Sequence, residues 1–170
     1  MLLDFKKYIF VFTTLFLSSC RGEDESDLQK IDQVLNIYIK NAAGKDLLNT
    51  NIPGGFTAVR AQDLNADRAL QDIIGISVKK DQDTIAYVDY ATGAVRILKD
   101  SISASQKMYQ SDFYINLSKI VNKETVTDVD TVKVEYNWSP NLFQVSKVWY
   151  NNKLSFSKVE GQPNIIHIVK

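Results

Sequence analysis

Between Thr131 and Trp138 the chain reads TVKVEYNW, and Val132, Val134, Tyr136 and Trp138 alternate with Thr131, Lys133, Glu135 and Asn137. Successive side chains of an extended strand point to opposite faces, so a period of two produces one apolar face and one wet face. A helix would scatter the same residues around its circumference. The stretch is therefore read as a half-buried β-strand with its apolar face toward a core. Leu35, Ile37 and Ile39 repeat the pattern against Asn36, Tyr38 and Lys40, and Asn41-Ala42-Ala43-Gly44 closes that strand.

Gln144 to Val159 (QVSKVWYNNKLSFSKV) sets Asn151-Asn152 between two β-rich runs. Asparagine tolerates the positive φ of a two-residue hairpin turn, so a β-hairpin is expected here. Further strands are expected at Phe56 to Ala61, Ile76 to Lys80, Thr84 to Asp89, Ala94 to Leu98, Phe113 to Leu117 and Asn164 to Val169. Turn signals such as Asp81-Gln82-Asp83 and Ala91-Thr92-Gly93 separate them. Pro140 should end the strand that contains Trp138. One short helix is expected at Ala66 to Ile73, capped by Asn65. Many short strands without a βα alternation predict an all-β antiparallel β-sandwich, an immunoglobulin-like outline being one form of it.

The chain has 170 residues, 45% of them hydrophobic, which suits one core rather than two. Twenty basic and twenty acidic residues balance, so the electrostatic footprint of a nucleic-acid binder is missing. With 3 prolines and 7 glycines and no low-complexity tract, most of the chain past the first thirty residues can order and pack.

At the amino-terminal end Lys6 and Lys7 precede an uncharged run, Tyr8 to Leu17, that ends in Ser18 and Ser19. Basic, apolar, small is the order of a secretory signal. The run has about half of the ~20 apolar residues that a membrane-spanning helix needs. Leu17-Ser18-Ser19-Cys20 resembles the lipobox of bacterial lipoproteins. That resemblance implies cleavage between Ser19 and Cys20 and acylation of the Cys20 thiol, with two or three chains, palmitate among the acids that could serve, holding the protein at the membrane. The alternative is an idle thiol after an ordinary signal. Cys20 is the only cysteine, so no disulfide can form within the chain and stability must come from the core.

The organisation that follows is a signal peptide over 1–19, a lipidated acidic tether over 20–32 and one β-sandwich domain over 33–170. Glu23, Asp24, Glu25 and Asp27 crowd the tether, which is too polar to pack and suits a solvated spacer. The run Arg21-Gly22-Glu23-Asp24-Glu25 also resembles the surface-export signal of Bacteroidetes lipoproteins. That resemblance implies a lipid-anchored protein on the outside of the outer membrane, the periplasmic face being the alternative. Asp83-Thr84-Ile85, Asp100-Ser101-Ile102 and Asp130-Thr131-Val132 resemble O-glycosylation sites of the same bacteria, and are equally ordinary strand-entry turns. With Gly44-Lys45-Asp46-Leu47-Leu48 and Trp149-Tyr150-Asn151-Asn152-Lys153-Leu154, the mature chain resembles small Bacteroidetes lipoproteins. This implies a compact β-sandwich on a lipid tether and carries over no functional residue.

Chemistry is sparse. His167, the only histidine, lies in Ile165-Ile166-His167-Ile168-Val169, where alternation places it with Ile165 and Val169, opposite Ile166 and Ile168. It has no nucleophile elbow and no free thiol for company, so a packed or edge histidine is the expected role. One histidine and one lipidated cysteine cannot assemble a usual zinc site. Asp63-Leu64-Asn65-Ala66-Asp67 reproduces the start of a calcium loop, but Arg68 stands where the glycine belongs and Ile74 where the closing glutamate belongs. No metal and no cofactor is expected. Trp138 should be core, whereas Trp149, alternating with Val145 and Lys147, is the candidate for ligand contact through its ring. The expectation is a non-catalytic binding or structural module anchored through Cys20, with an accessory glycan-binding lipoprotein of a nutrient-uptake system as the alternative.

Overall fold

A computed structural model describes residues 28–170 apart from Ala69. Ser19, Cys20, Glu23, Asp24 and Glu25, which carry the expected cleavage, lipidation and export signals, lie outside the described residues.

The chain runs through β1 (Lys30–Asp32), β2 (Leu35–Lys40), β3 (Ala58–Asp63), β4 (Gln71–Asp72), β5 (Ile76–Lys80) and β6 (Ala86–Tyr90). It continues through β7 (Ile97–Ser103), β8 (Gln106–Val121), β9 (Glu124–Ser139), β10 (Leu142–Tyr150), β11 (Lys153–Ser157) and β12 (Ile165–Val169). The fold is all-β, as the alternation requires. An eight-stranded sheet has the order β1-β10-β9-β8-β3-β4, with β11 also on β10 and β7 also on β8. The second sheet is β12-β2-β6-β5. Both β8 and β10 are long enough to take two short neighbours end to end along one edge. Thus β7 pairs from Gln106 to Gln110 of β8 and β3 from Phe113 to Ser118, while β1 lines the start of β10 and β11 its end.

The two sheets pack face to face over one core. Leu35, Ile37, Ile39, Val88, Tyr90 and Ile166 come from the small sheet, and Phe113, Ile115, Leu117, Val132, Val134 and Tyr136 from the large one. The Tyr90 ring stacks on Phe113 across the interface at 4.7 Å. Trp138 packs partly buried against this core, at the end of its strand.

Both sheets are mixed. β1 runs parallel to β10, pairing Lys30 with Leu142, and β12 runs parallel to β2, pairing Ile165 with Asn36. The partners in both pairs are distant in sequence, so no tight turn dictates an antiparallel return. The domain also starts before Gln33: Lys30–Asp32 belongs to the large sheet, and Gln29 donates its amide to the Ser139 carbonyl at 2.7 Å. The period-two signal misses this strand because three residues are too few to show a period.

A polar clasp closes the crossing from β1 to β2. Lys158 Nζ donates to Asp32 Oδ2 at 2.6 Å, to Gln162 O at 2.7 Å and to Asn164 Oδ1 at 2.9 Å. Asn164 donates onward to Asp32 Oδ1 and to the Val34 carbonyl. Burial alone would raise the Asp32 carboxyl, but the Lys158 and Asn164 hydrogen bonds and the nearby Lys158 and Lys30 charges hold it below its ordinary value.

The expected helix at Ala66 to Ile73 does not form: Ala66 to Arg68 are bends, Leu70 is a turn residue, and Gln71–Asp72 is β4. Asn65, its proposed cap, instead gives its N–H to Asp63 Oδ1 at 2.8 Å and its side-chain amide to Asp112. Ile73 is drawn into the core, with its N–H on the Ala61 carbonyl. Two turns of helix are marginal without tertiary support, and here the sheet captures the segment's backbone and its apolar residue.

Two tight hairpins set the long strands. Asn151 (φ 48°) and Asn152 (φ 63°) form the expected turn between β10 and β11. Asn122 (φ 51°) and Lys123 (φ 69°) form the same left-handed pair between β8 and β9, sixteen residues on each side. At ~3.4 Å per residue this ribbon is about 50 Å long, and its alternating buried positions run from Ser111 to Leu117 on β8 and from Asp130 to Tyr136 on β9.

Candidate binding surface

Outward positions of the small sheet come into register across three strands. His167 on β12 lies opposite Tyr38 on β2, and Tyr87 on β6 lies opposite Lys79 on β5. The Tyr38 ring is 5.3 Å from His167 and 5.4 Å from Tyr87, each pair tilted by about thirty degrees. The inward neighbours Ile37, Ile39, Val88, Ile166 and Ile168 are buried, so the strands themselves force these rings outward. Tyr38 Oη donates to Asp81 Oδ2 at 3.1 Å. Burial, followed by that carboxylate, raises the Tyr38 phenol, which therefore stays neutral near pH 7.

The row is flanked by concavities. On one side Lys80, Asp81, Gln82 and Asp83 with Tyr87 border an open depression of about 640 Å³. On the other, the β11 and β12 edges leave a groove of about 520 Å³, lined by Lys153, Leu154, His167, Val169 and Lys170 among others. That volume lies in the range of small-molecule sites. The groove floor is braced by Asp130, which is buried and accepts from Tyr150 Oη, Asn151 Nδ2 and Lys170 Nζ. Aromatic row, groove and acidic rim form one elongated surface.

Trp149 lies elsewhere. A β-bulge between Val145 and Lys147 shifts the parity of β10, so that Val145, Val148 and Tyr150 all face the core and Trp149 faces out beside Lys147. Trp149 therefore does not share a face with Val145, contrary to strict alternation. The Lys133 ammonium sits 4.0 Å from the centroid of its ring and occupies one stacking face. His167 keeps the face that alternation assigned to it, exposed and apart from the buried Ile166 and Ile168. The sequence does not group the three residues of the row, because they lie on three strands whose order it does not spell out. Tyr38 on the polar face of an alternating strand was the available signal.

At the calcium-like segment both oxygens of Asp63 are taken by main-chain donors, Asn65 N–H at 2.8 Å and Val95 N–H at 2.6 Å. Among the described residues no three His, Cys, Asp or Glu side chains cluster closely enough to hold a metal ion, and no helix is long and apolar enough to cross a membrane. No family model, curated protein or solved structure matches the chain.

Proposed function

We propose that the chain is a lipid-anchored, non-catalytic binding module of the outer membrane, displayed on the cell surface through acylated Cys20, with the outer face of its small sheet as the ligand surface. The observation that carries this reading is the His167–Tyr38–Tyr87 row between a groove and an acidic rim. Rigid strands hold the rings without any ligand, so little ordering is needed on binding. The balanced charge argues against nucleic acid as the partner.

The same row favours a glycan over a protein as the ligand. Aromatic faces stack on the C–H faces of sugar rings, and the neighbouring Asp81, Asp83 and Lys80 can exchange hydrogen bonds with hydroxyl groups. The glycan-binding alternative therefore rests on Tyr38, Tyr87 and His167 rather than on Trp149. A glycan panel run with the mature protein tests it: Tyr38→Ala should weaken an observed affinity at least about tenfold, the loss of ~1.4 kcal/mol, and Trp149→Ala should leave it unchanged. Loss with Trp149→Ala alone would move the site, and an empty panel would remove the glycan reading.

A further inference from the structure

At the end of the large sheet where the chain enters, Lys30 and Ile31 are exposed, Phe143 is buried, and Trp138 and Tyr109 pack partly buried against the core. Here β1 begins, β8 begins, β7 and β9 end, and the Ser139–Leu142 turn closes. Across this end Lys107, Trp138, Phe143 and Ile31 lie in one cross-strand row. Lys107 Nζ is 4.9 Å from the Trp138 ring. Ile102, Trp138 and Leu142 line a groove of about 300 Å³. Leu28 is 70%, Ile31 62% and Ile102 64% exposed, a concentration of large apolar side chains at one tip. Lys30 and Lys99 are exposed toward the same tip, as is Asp100. A tryptophan among aliphatic side chains with lysines around it is the composition that membrane–water interfaces select, the rings and methyl groups entering and the ammonium groups staying with the headgroups.

The chain path identifies the occupant. Lys30 is tied to this tip by its N–H on the Asn141 carbonyl at 2.9 Å. Lys30 lies ten positions after Cys20, a stretch that can span at most about 35 Å and on a random-coil average about half of that. A lipid at Cys20 therefore holds this tip within about 35 Å of the bilayer. So short a link gives the tip an effective concentration at the membrane in the millimolar range, where even weak interfacial contacts are occupied.

Resting on the lipid-anchor reading, we infer that the Leu28, Ile31, Ile102 and Trp138 tip docks into the bilayer interface, so that the domain stands with β8 and β9 rising from the membrane and the Asn122-Lys123 turn farthest from it. The test uses the mature lipidated protein carrying Trp149→Phe, which leaves Trp138 as the only indole, in phosphatidylethanolamine–phosphatidylglycerol vesicles with brominated acyl chains. Flotation reports the anchor and Trp138 emission reports the docking. Flotation with a blue-shifted, quenched Trp138 is the expected result, and Ile102→Asp with Leu28→Asp should restore unquenched emission while flotation persists. Flotation with a wild-type Trp138 that bromine does not quench overturns the docking and leaves the anchor standing. Failure to float overturns the anchor and the docking together.

Discussion

Tyr150 Oη donates a hydrogen bond to Asp130 Oδ2 at 2.5 Å inside the core, two residues along β9 from the position Tyr150 faces. Asp130 is 2% exposed and takes further donors from Asn151 and Lys170, which ties the β10–β11 turn and the last residue of the chain to one carboxylate. A buried charge is tolerated because it is fully partnered. Tyr150→Phe should therefore destabilise the domain by about 1–3 kcal/mol, read as a lower midpoint in urea with an unchanged slope.

Alkaline pH should unfold the domain cooperatively. Burial raises the phenols of Tyr90, Tyr136 and Tyr150, and for Tyr150 the Asp130 carboxylate adds to it. A raised folded value means that the unfolded chain releases these protons first, so their contribution is intact below the ordinary tyrosine value of about 10 and declines as the pH rises above it. Ultraviolet titration should show tyrosinate absorbance rising together with loss of β-structure by circular dichroism.

At the acid end the sign is reversed. Asp32 is held below its ordinary carboxyl value, so its contribution is complete above the unfolded value near 3.8 and is lost as the pH falls through the lower folded value. Asp32→Asn should lower the melting temperature at pH 7, and the difference from wild type should shrink as the pH falls below the ordinary carboxyl value.

The distal turn should respond to glycine. Lys123 at φ 69° carries a Cβ in the left-handed region, and its side chain makes no hydrogen bond or ion pair among the described residues, so Lys123→Gly is expected to stabilise by up to about 1 kcal/mol. Asn151→Gly should instead destabilise. Its Oδ1 accepts the Thr131 N–H at 2.8 Å and its Nδ2 donates to Asp130. Thermal melts of the two variants check the contrast.

On intact cells, a tag placed after Lys170 should be digested by added protease while a periplasmic marker survives. Protection of the tag until the outer membrane is breached would assign the domain to the periplasmic face and reduce Glu23 to Asp27 to a spacer.

Much of this architecture is legible from alternation. Leu35, Ile37, Ile39, Val132, Val134 and Tyr136 face the core as the period of two requires, and Asn151-Asn152 turns where asparagine permits it. The failures have local causes. Ala66 to Ile73 carries helix-forming residues, but Asp63 captures the Asn65 N–H and the core captures Ile73. The face of Trp149 depends on one bulge, which adds a residue without leaving a mark in the pattern. The proposed ligand surface is the least legible part, since His167 meets Tyr38 through the parallel pairing of β12 with β2, and Tyr38 meets Tyr87 through the antiparallel pairing of β2 with β6.

Anchoring through Cys20 is the claim on which the display, the orientation and the docking tip all depend. The intact mass of the mature protein extracted from membranes tests it most directly. A chain that begins at Cys20, with residues 1–19 removed and the added mass of a diacylglyceryl group and its acyl chains lost in Cys20→Ser, is the expected result. A chain that retains residues 1–19, or one that begins at Cys20 with no added mass, would contradict it.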